Sequence, residues 1–73
     1  FVGTNSIIEL GVNISNNCKI GSNVYIGADS QIEKNVNVGV SSTILNNCKV
    51  GKNNNLKPQS LISKNIKSKL RQF

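Results

Sequence analysis

Few side chains in this sequence could carry out chemistry. The 73 residues include no His, and the acidic residues are Glu9, Asp29 and Glu33. A carboxylate at neutral pH acts as a general base only when its pKa is raised, and nothing in the sequence around Glu9 gives a reason for such a shift. Glu9 is therefore a weak candidate for a catalytic base. The interpretation that we favour is an outward-pointing strand residue.

The positive charge is concentrated in the carboxyl-terminal third. The net charge is +6, and seven of the nine Lys and Arg residues lie at or after Lys49. This end could bind phosphates of a nucleotide, a coenzyme, RNA or a lipid, but a solvated tail is the interpretation that we favour. Aromatic residues are limited to Phe1, Tyr25 and Phe73, so no stacking platform for nucleic-acid bases is expected. No apolar stretch is long enough to span a membrane.

The chain is also very short. A domain of 73 residues buries too little surface to be very stable alone, so a partner subunit is an expected source of support. It contains no Met and begins with Phe1, which predicts that it is a piece of a longer protein.

A six-residue repeat is the strongest pattern in the sequence. Hexads counted from Val2 begin with Val, Ile or Leu in eleven of twelve cases, and Ser68 is the exception. The fifth position is small or β-branched in most hexads. The fourth position is Asn in seven hexads: Asn5, Asn17, Asn23, Asn35, Asn47, Asn53 and Asn65. Such a fixed period predicts a solenoid of stacked coils.

Each position of the hexad has a structural interpretation. Positions one and five lie two residues apart across the hexad junction, so both point inward from a strand. Asn, Asp and Gly in the middle of the hexad favour a tight bend. Three hexads close a triangular coil, so equivalent positions recur at every third hexad. The predicted inner columns are Val2, Ile20, Val38 and Leu56; Ile8, Ile26, Ile44 and Ile62; and Ile14, Ile32 and Val50. Asn54, in a column with Cys18 and Val36, would need a hydrogen-bond partner.

This pattern resembles the hexapeptide-repeat family, whose members are left-handed parallel β-helices. The resemblance covers residues 2 to about 66 and implies an all-β domain, 1–66, of about four 18-residue coils. A short basic tail, 67–73, would follow it. The segment from Ser63 to Phe73 is expected to be either a short helix or a loose tail.

One outward face of the predicted solenoid is apolar. Its sixth-position residues are Ile7, Tyr25, Thr43 and Leu61, whereas the other two faces carry Asn, Gln and Lys. An apolar stripe on a small soluble protein usually marks an interface. We expect a homo-oligomer packed through this face, and the resemblance implies a homotrimer. The alternative is that another segment of the same chain covers the stripe.

Within the family, the sequence most closely resembles bacterial sugar O- and N-acetyltransferases of the sialic-acid and bacillosamine type. The resemblance rests on the segment from Ser6 to Leu10 and the segment from Gly39 to Leu45. It implies transfer of an acetyl group from acetyl-CoA to a sugar or nucleotide-sugar amine or hydroxyl. The catalytic His of the family is replaced by Leu10, which cannot move a proton. The alternative is a non-catalytic trimerisation module descended from such an enzyme.

The resemblance also implies a coenzyme cleft between subunits. The matching positions are Gly27, Ala28, Gly39, Val40, Ser41, Ser42, Pro58 and Ser60. A coenzyme lying against the backbone needs small side chains and free N–H groups, which Gly39, Ser41 and Ser42 could supply and Pro58 could not. Lys52, Lys57 and Lys64 could attract its phosphates. For each residue alone, a turn or a solvated charge is the simpler interpretation.

The two Cys residues are expected to be buried core thiols. Cys18 and Cys48 are separated by five hexads, which is not a multiple of three, so they fall on different faces and a disulfide is not expected. Without His or neighbouring acids, no metal site is expected. Reduced thiols favour a cytoplasmic location.

Overall fold

The computed structural model describes residues 2–69, and they form a regular array of very short strands. Ten two-residue strands recur every six residues: β1 (Ile7–Ile8), β2 (Asn13–Ile14), β3 (Lys19–Ile20), β4 (Tyr25–Ile26), β5 (Gln31–Ile32), β6 (Asn37–Val38), β7 (Thr43–Ile44), β8 (Lys49–Val50), β9 (Asn55–Leu56) and β10 (Leu61–Ile62). Each strand spans a hexad junction, as predicted.

The strands pair in parallel with the strands one coil away. Their order is β1-β4-β7-β10 in one sheet, β2-β5-β8 in the second and β3-β6-β9 in the third. The register joins equivalent positions of successive coils, for example Ile8 with Ile26 and Ile26 with Ile44. The fold is therefore a parallel β-solenoid of about three turns, and residues 2–69 contain no helix.

The bends use left-handed backbone angles at the fourth position of the hexad. Residues with φ between 57° and 64° are Asn5, Asn17, Asn23, Asp29, Asn35, Ser41, Asn47, Asn53 and Gln59, and Gly11 has φ 79°. Asn and Asp tolerate this region better than other side chains that carry a Cβ, which explains the Asn-rich column. Asn65 is absent from this set, so the last regular bend is the one at Gln59.

Aliphatic side chains fill the axis of the solenoid. Ile26, Ile44 and Val50 have no exposed surface, and Ile20 and Ile32 are 1% exposed. The predicted columns are thus confirmed in the middle of the chain. The first-turn members of the three columns are more exposed than the others: Val2, Ile8 and Ile14 are 47%, 38% and 36% exposed. They are exposed because no turn among the described residues covers them.

The core also contains polar side chains that join neighbouring turns. The buried Ser30 hydroxyl donates to the Leu45 carbonyl at 2.9 Å and accepts from the Cys48 N–H at 3.3 Å. Asn54, 5% exposed, donates from its amide to the carbonyls of Gly51 and Lys67 at 2.9 and 3.0 Å. The predicted need of Asn54 for partners is confirmed.

The register changes after Ser63. Ile66 pairs with Val50, whereas the regular register would pair Ile66 with Cys48 and Val50 with Ser68. Ile66 therefore takes the inner position that Ser68 would occupy in a regular turn. Of the two forms expected from Ser63 onwards, a short helix or a loose tail, the helix is absent from residues 63–69. Of the predicted tail 67–73, residues 70–73 lie outside the described residues.

Candidate assembly face and small-residue corners

The four-stranded sheet carries the row of apolar side chains that the sequence predicted. Parallel pairing aligns Ile7 with Tyr25, Tyr25 with Thr43, and Thr43 with Leu61. Ile7 and Leu61 are 55% and 66% exposed, and Tyr25 and Thr43 are half-buried. We call these four residues the apolar face. Because the side chains are in register on one sheet, the face can contact another surface along its whole length.

Exposed aliphatic residues also lie at both edges of the apolar face. Val40, in the bend before β7, is 49% exposed, and Leu45, directly after β7, is 41% exposed. Leu10, in the bend after β1, is 88% exposed. These side chains widen the exposed apolar surface beyond the four residues in the row.

The predicted coenzyme residues divide between two corners of the solenoid. Gly27 and Ala28 follow β4, at the carboxyl ends of the strands of the four-stranded sheet. Gly39, Val40 and Ser41 precede β7, and Pro58 precedes β10, so they lie at the opposite ends of these strands. The solenoid therefore brings Gly39–Ser41 and Pro58 together and places Gly27 and Ala28 on the other side of the apolar face.

Backbone groups at the Gly39 corner are used to hold the turns together. The N–H of Gly39 donates to the Leu56 carbonyl, and the N–H of Ser41 donates to the Ser22 carbonyl, both at 2.9 Å. The expectation that these N–H groups are free is wrong, because neighbouring turns of a solenoid pair through them. A Cβ on Gly39 would lie 2.5 Å from the Pro58 nitrogen, so close packing of turns by itself explains this Gly.

Ser42 is buried in the core, and Ser60 is half-buried beside it. Ser42 has no exposed surface, and its hydroxyl donates to the Lys57 carbonyl at 3.2 Å and accepts from the Ser60 N–H at 3.3 Å. The half-buried Ser60 hydroxyl also donates to Lys57. The Ser42 hydroxyl therefore bridges turns as Ser30 does, whereas Ser60 bonds within its own turn.

A shallow groove borders the Gly39 corner. Its volume is about 250 Å³, and its lining includes Lys19, Gly21, Gly39, Val40 and Leu56. It is mostly apolar, with the Lys19 ammonium as its one cationic lining group among the described residues. The groove could hold an extended chain of small cross-section, but its lining among the described residues includes no His and no carboxylate.

The position of the family His offers no proton-transfer group. Leu10 lies in a bend with its side chain in solvent, and its carbonyl accepts from the Asp29 N–H at 3.0 Å. Glu9 is exposed, in agreement with an outward-pointing residue, but it follows β1 and is not itself a strand residue. Its N–H donates to the Ile26 carbonyl at 3.1 Å, so its backbone belongs to the solenoid.

An ion pair that the sequence analysis did not predict lies on another face. The Glu33 carboxylate is 3.3 Å from the Lys49 ammonium, and the Ser68 hydroxyl donates to the same carboxylate at 3.3 Å. Chiefly through its hydrogen bond, Lys49 holds the pKa of Glu33 below its ordinary value, and Ser68 and Lys52 act in the same direction. Glu33 directly follows β5, and Lys49 lies on the paired strand β8, two residues before the position equivalent to Glu33. Comparing diagonal neighbours in successive coils could therefore have revealed the contact.

The thiols behave as the sequence predicts. Cys18 and Cys48 are buried, and neither forms a disulfide. The Cys18 Sγ lies 3.0 Å from the Glu33 carbonyl, and the Cys48 Sγ lies 3.7 Å from the Ile62 carbonyl. Over residues 2–69, no group of three or more potential metal-ligating side chains is present. The same span contains no helix of the length and apolarity needed to traverse a lipid bilayer.

Fold, repeat and face together define a β-solenoid domain of the hexapeptide-repeat type. A family model described as the GMPPB C-terminal domain matches residues 2–71, and the chain belongs to this family. The domain is a β-helix found in sugar nucleotidyltransferases. The acetyltransferase subtype that the sequence suggested stays a prediction. No curated protein and no solved structure matches the chain.

Proposed function

We propose that this chain is an assembly domain of a sugar nucleotidyltransferase-type enzyme and that it associates as a homotrimer through the apolar face. In this proposal the solenoid is left-handed, is built from about four coils and works in the cytoplasm. The observation that carries the proposal is the aligned row of Ile7, Tyr25, Thr43 and Leu61 on one sheet, of which Ile7 and Leu61 are exposed. Covering such a row removes apolar surface from water, which favours association.

The chemistry of the domain also favours assembly over catalysis. The chain contains no His, and Leu10 occupies the position where the resemblance places the base. The nearby Glu9 is an exposed surface residue.

Sedimentation equilibrium of the chain and of single-charge variants tests this function. Leu61→Lys places a cation in the proposed contact and should convert the trimer to a monomer. Gln31→Lys is the matched control, because Gln31 is an exposed, outward-pointing strand residue on another sheet. A monomeric parent chain, or a Leu61→Lys variant that remains trimeric, would contradict the proposal.

Acetyl transfer from acetyl-CoA to a sugar or nucleotide-sugar is a second candidate function. The groove beside Gly39 and Val40 favours it, because the family resemblance places pantetheine at this corner. Calorimetric titration with acetyl-CoA tests binding. If only the base is missing, Leu10→His should gain acetyl transfer to an added amino sugar. Absence of heat and an unchanged melting temperature with acetyl-CoA would rule this candidate out.

A further inference from the structure

The two ends of the solenoid differ in how they are closed. At the amino-terminal end, the inner residues Val2, Ile8 and Ile14 are between 36% and 47% exposed. At the carboxyl-terminal end, Val50 has no exposed surface, Ile62 is 9% exposed and Leu56 is half-buried. The difference arises from residues 63–69, which cross beneath the last complete turn.

These residues pair with the last turn in a shortened register. In the turn before, the N–H of Glu33 donates to the carbonyl of Val50 at 3.0 Å. The same register would direct the N–H of Gly51 to the carbonyl of Ser68, but this N–H donates to the Ile66 carbonyl at 2.7 Å. The chain therefore reaches the axis two residues early, and Ile66 covers Val50 in place of the polar Ser68.

A side-chain oxygen replaces a backbone carbonyl at Lys49. In the turn before, the N–H of Gln31 donates to a backbone carbonyl, whereas the N–H of Lys49 donates to the Asn65 Oδ1 at 2.9 Å. The N–H of Lys52 donates to the Ser68 Oγ at 2.9 Å, much as the N–H of Ala28 donates to a side-chain oxygen in a regular turn. The Lys69 N–H then donates to the Lys52 carbonyl at 2.8 Å. The edge of β8 is thus paired by a segment that cannot itself continue the regular repeat.

Two further amide side chains fasten the same segment. Asn54 donates to the Lys67 carbonyl at 3.0 Å, and Asn53 donates to the Lys69 carbonyl at 3.1 Å. Ser68, besides accepting from Lys52, donates to Glu33 in the turn above. The segment is therefore bound by both backbone and side-chain hydrogen bonds on the β8 side of the solenoid.

We infer that residues 63–69 are a closing turn, whose shortened register prevents another β-solenoid turn from adding to the carboxyl-terminal end. A further turn would have to pair with the outermost strands of all three sheets, β8, β9 and β10, in one regular register. Residues 65–69 already occupy the β8 edge. Unpaired strand edges are templates for association, and natural proteins block them. The inference does not depend on the proposed trimer.

A two-residue insertion tests the closing turn in the full chain. Insertion of Asn-Ser between Lys64 and Asn65 creates the regular hexad Ile-Ser-Lys-Asn-Ser-Asn and moves Ile66 to the position that pairs with Val50 in the regular register. The matched control carries the same insertion after Lys69. Both are made in a Leu61→Lys background, so that the apolar face does not contribute to association.

The insertion after Lys64 should produce oligomers that grow with concentration in sedimentation velocity, because it leaves a regular turn with an open edge. The control should sediment as its parent does. A folded insertion variant, with the β signal and cooperative melting of the control, that sediments like the parent over the same concentrations would overturn the inference.

If the insertion variant does not fold, hydrogen exchange of Asn65→Ala supplies the test. The Lys49 amide should exchange about tenfold faster than in the parent, the change expected for loss of one hydrogen bond. Asn55→Ala, which removes an exposed amide from another sheet, should leave Lys49 unchanged. Exchange of Lys49 at the parent rate in Asn65→Ala would show that the segment does not hold this edge and would overturn the inference.

Discussion

The Glu33 carboxylate of one turn contacts the Lys49 ammonium of the next across 3.3 Å. The residue of the next turn that is equivalent to Glu33 is Gly51, so this surface contact runs diagonally and not along a column of equivalent positions. The Ser68 hydroxyl, which belongs to the closing turn, donates a hydrogen bond to the same carboxylate. Glu33 thereby connects three successive turns at one surface.

The Glu33 contact predicts a component of stability that depends on acid pH. Because Lys49 holds the pKa of Glu33 below its ordinary value, the folded state favours the carboxylate. The contribution is fully present above the unfolded-state pKa and is lost as the pH falls through the lower folded-state pKa. Melting temperatures measured by circular dichroism from about pH 6 to about pH 3 should fall less steeply for Glu33→Gln than for the parent.

Glu9→Gln is the control for this prediction, because it removes an exposed carboxyl elsewhere on the solenoid. It should follow the parent curve more closely than Glu33→Gln does. Equal slopes for the parent and Glu33→Gln would show that the ion pair does not stabilise the folded chain.

The inner column that contains Ile8 and Ile44 predicts that the stability lost on substitution by Ala depends on the turn in which the residue lies. Ile44 has no exposed surface, so Ile44→Ala should lower the free energy of unfolding by ~2–5 kcal/mol. Ile8 lies in the same column but is 38% exposed, so Ile8→Ala should cost clearly less. Urea denaturation of both variants measures the difference. Equal losses would mean that the first turn is covered in solution.

The left-handed bend at Gln59 predicts a stabilising substitution. Gln59 has φ 63° in a column otherwise rich in Asn. A side chain with a Cβ is disfavoured there by roughly 1–2 kcal/mol, and Asn is better tolerated. Gln59→Asn should therefore raise the free energy of unfolding by up to ~1 kcal/mol in urea denaturation.

Gln31→Asn controls for the change of side chain, since Gln31 lies in strand β5 and not in a bend. It should give no gain, because Asn is disfavoured in strands. A similar gain at both positions would show that the bend geometry is not the cause.

Much of the fold could be predicted because each hexad determines its own strand and bend from the residues within it. The strand at each junction, the bend at each fourth position and the columns through Ile26 and Ile32 all follow from side-chain type and spacing. The exposure of Ile8 could not be predicted from the repeat, because it depends on what covers the first turn. Asn65 looks like a regular bend residue in the sequence, yet its side chain replaces a backbone carbonyl.

The candidate site was less predictable than the core. The apolar face follows directly from the sixth position of the hexad. The expected free N–H groups at Gly39 and Ser41 are used between turns, since spacing alone does not show which backbone groups are paired. Ser42 likewise shares the small size of ligand-contacting residues, but its hydroxyl bonds within the solenoid interior.

The most direct test of the proposed assembly is a filtered NOE experiment on a sample that mixes isotope-labelled and unlabelled chains. The Tyr25 ring lies half-buried in the middle of the apolar face, where a second copy would contact it. We predict intermolecular NOEs from the Tyr25 ring protons to aliphatic protons of another copy, and their loss in Leu61→Lys. Intermolecular NOEs that arise only from other faces, or none at concentrations where the chain is fully folded, would contradict assembly through this face.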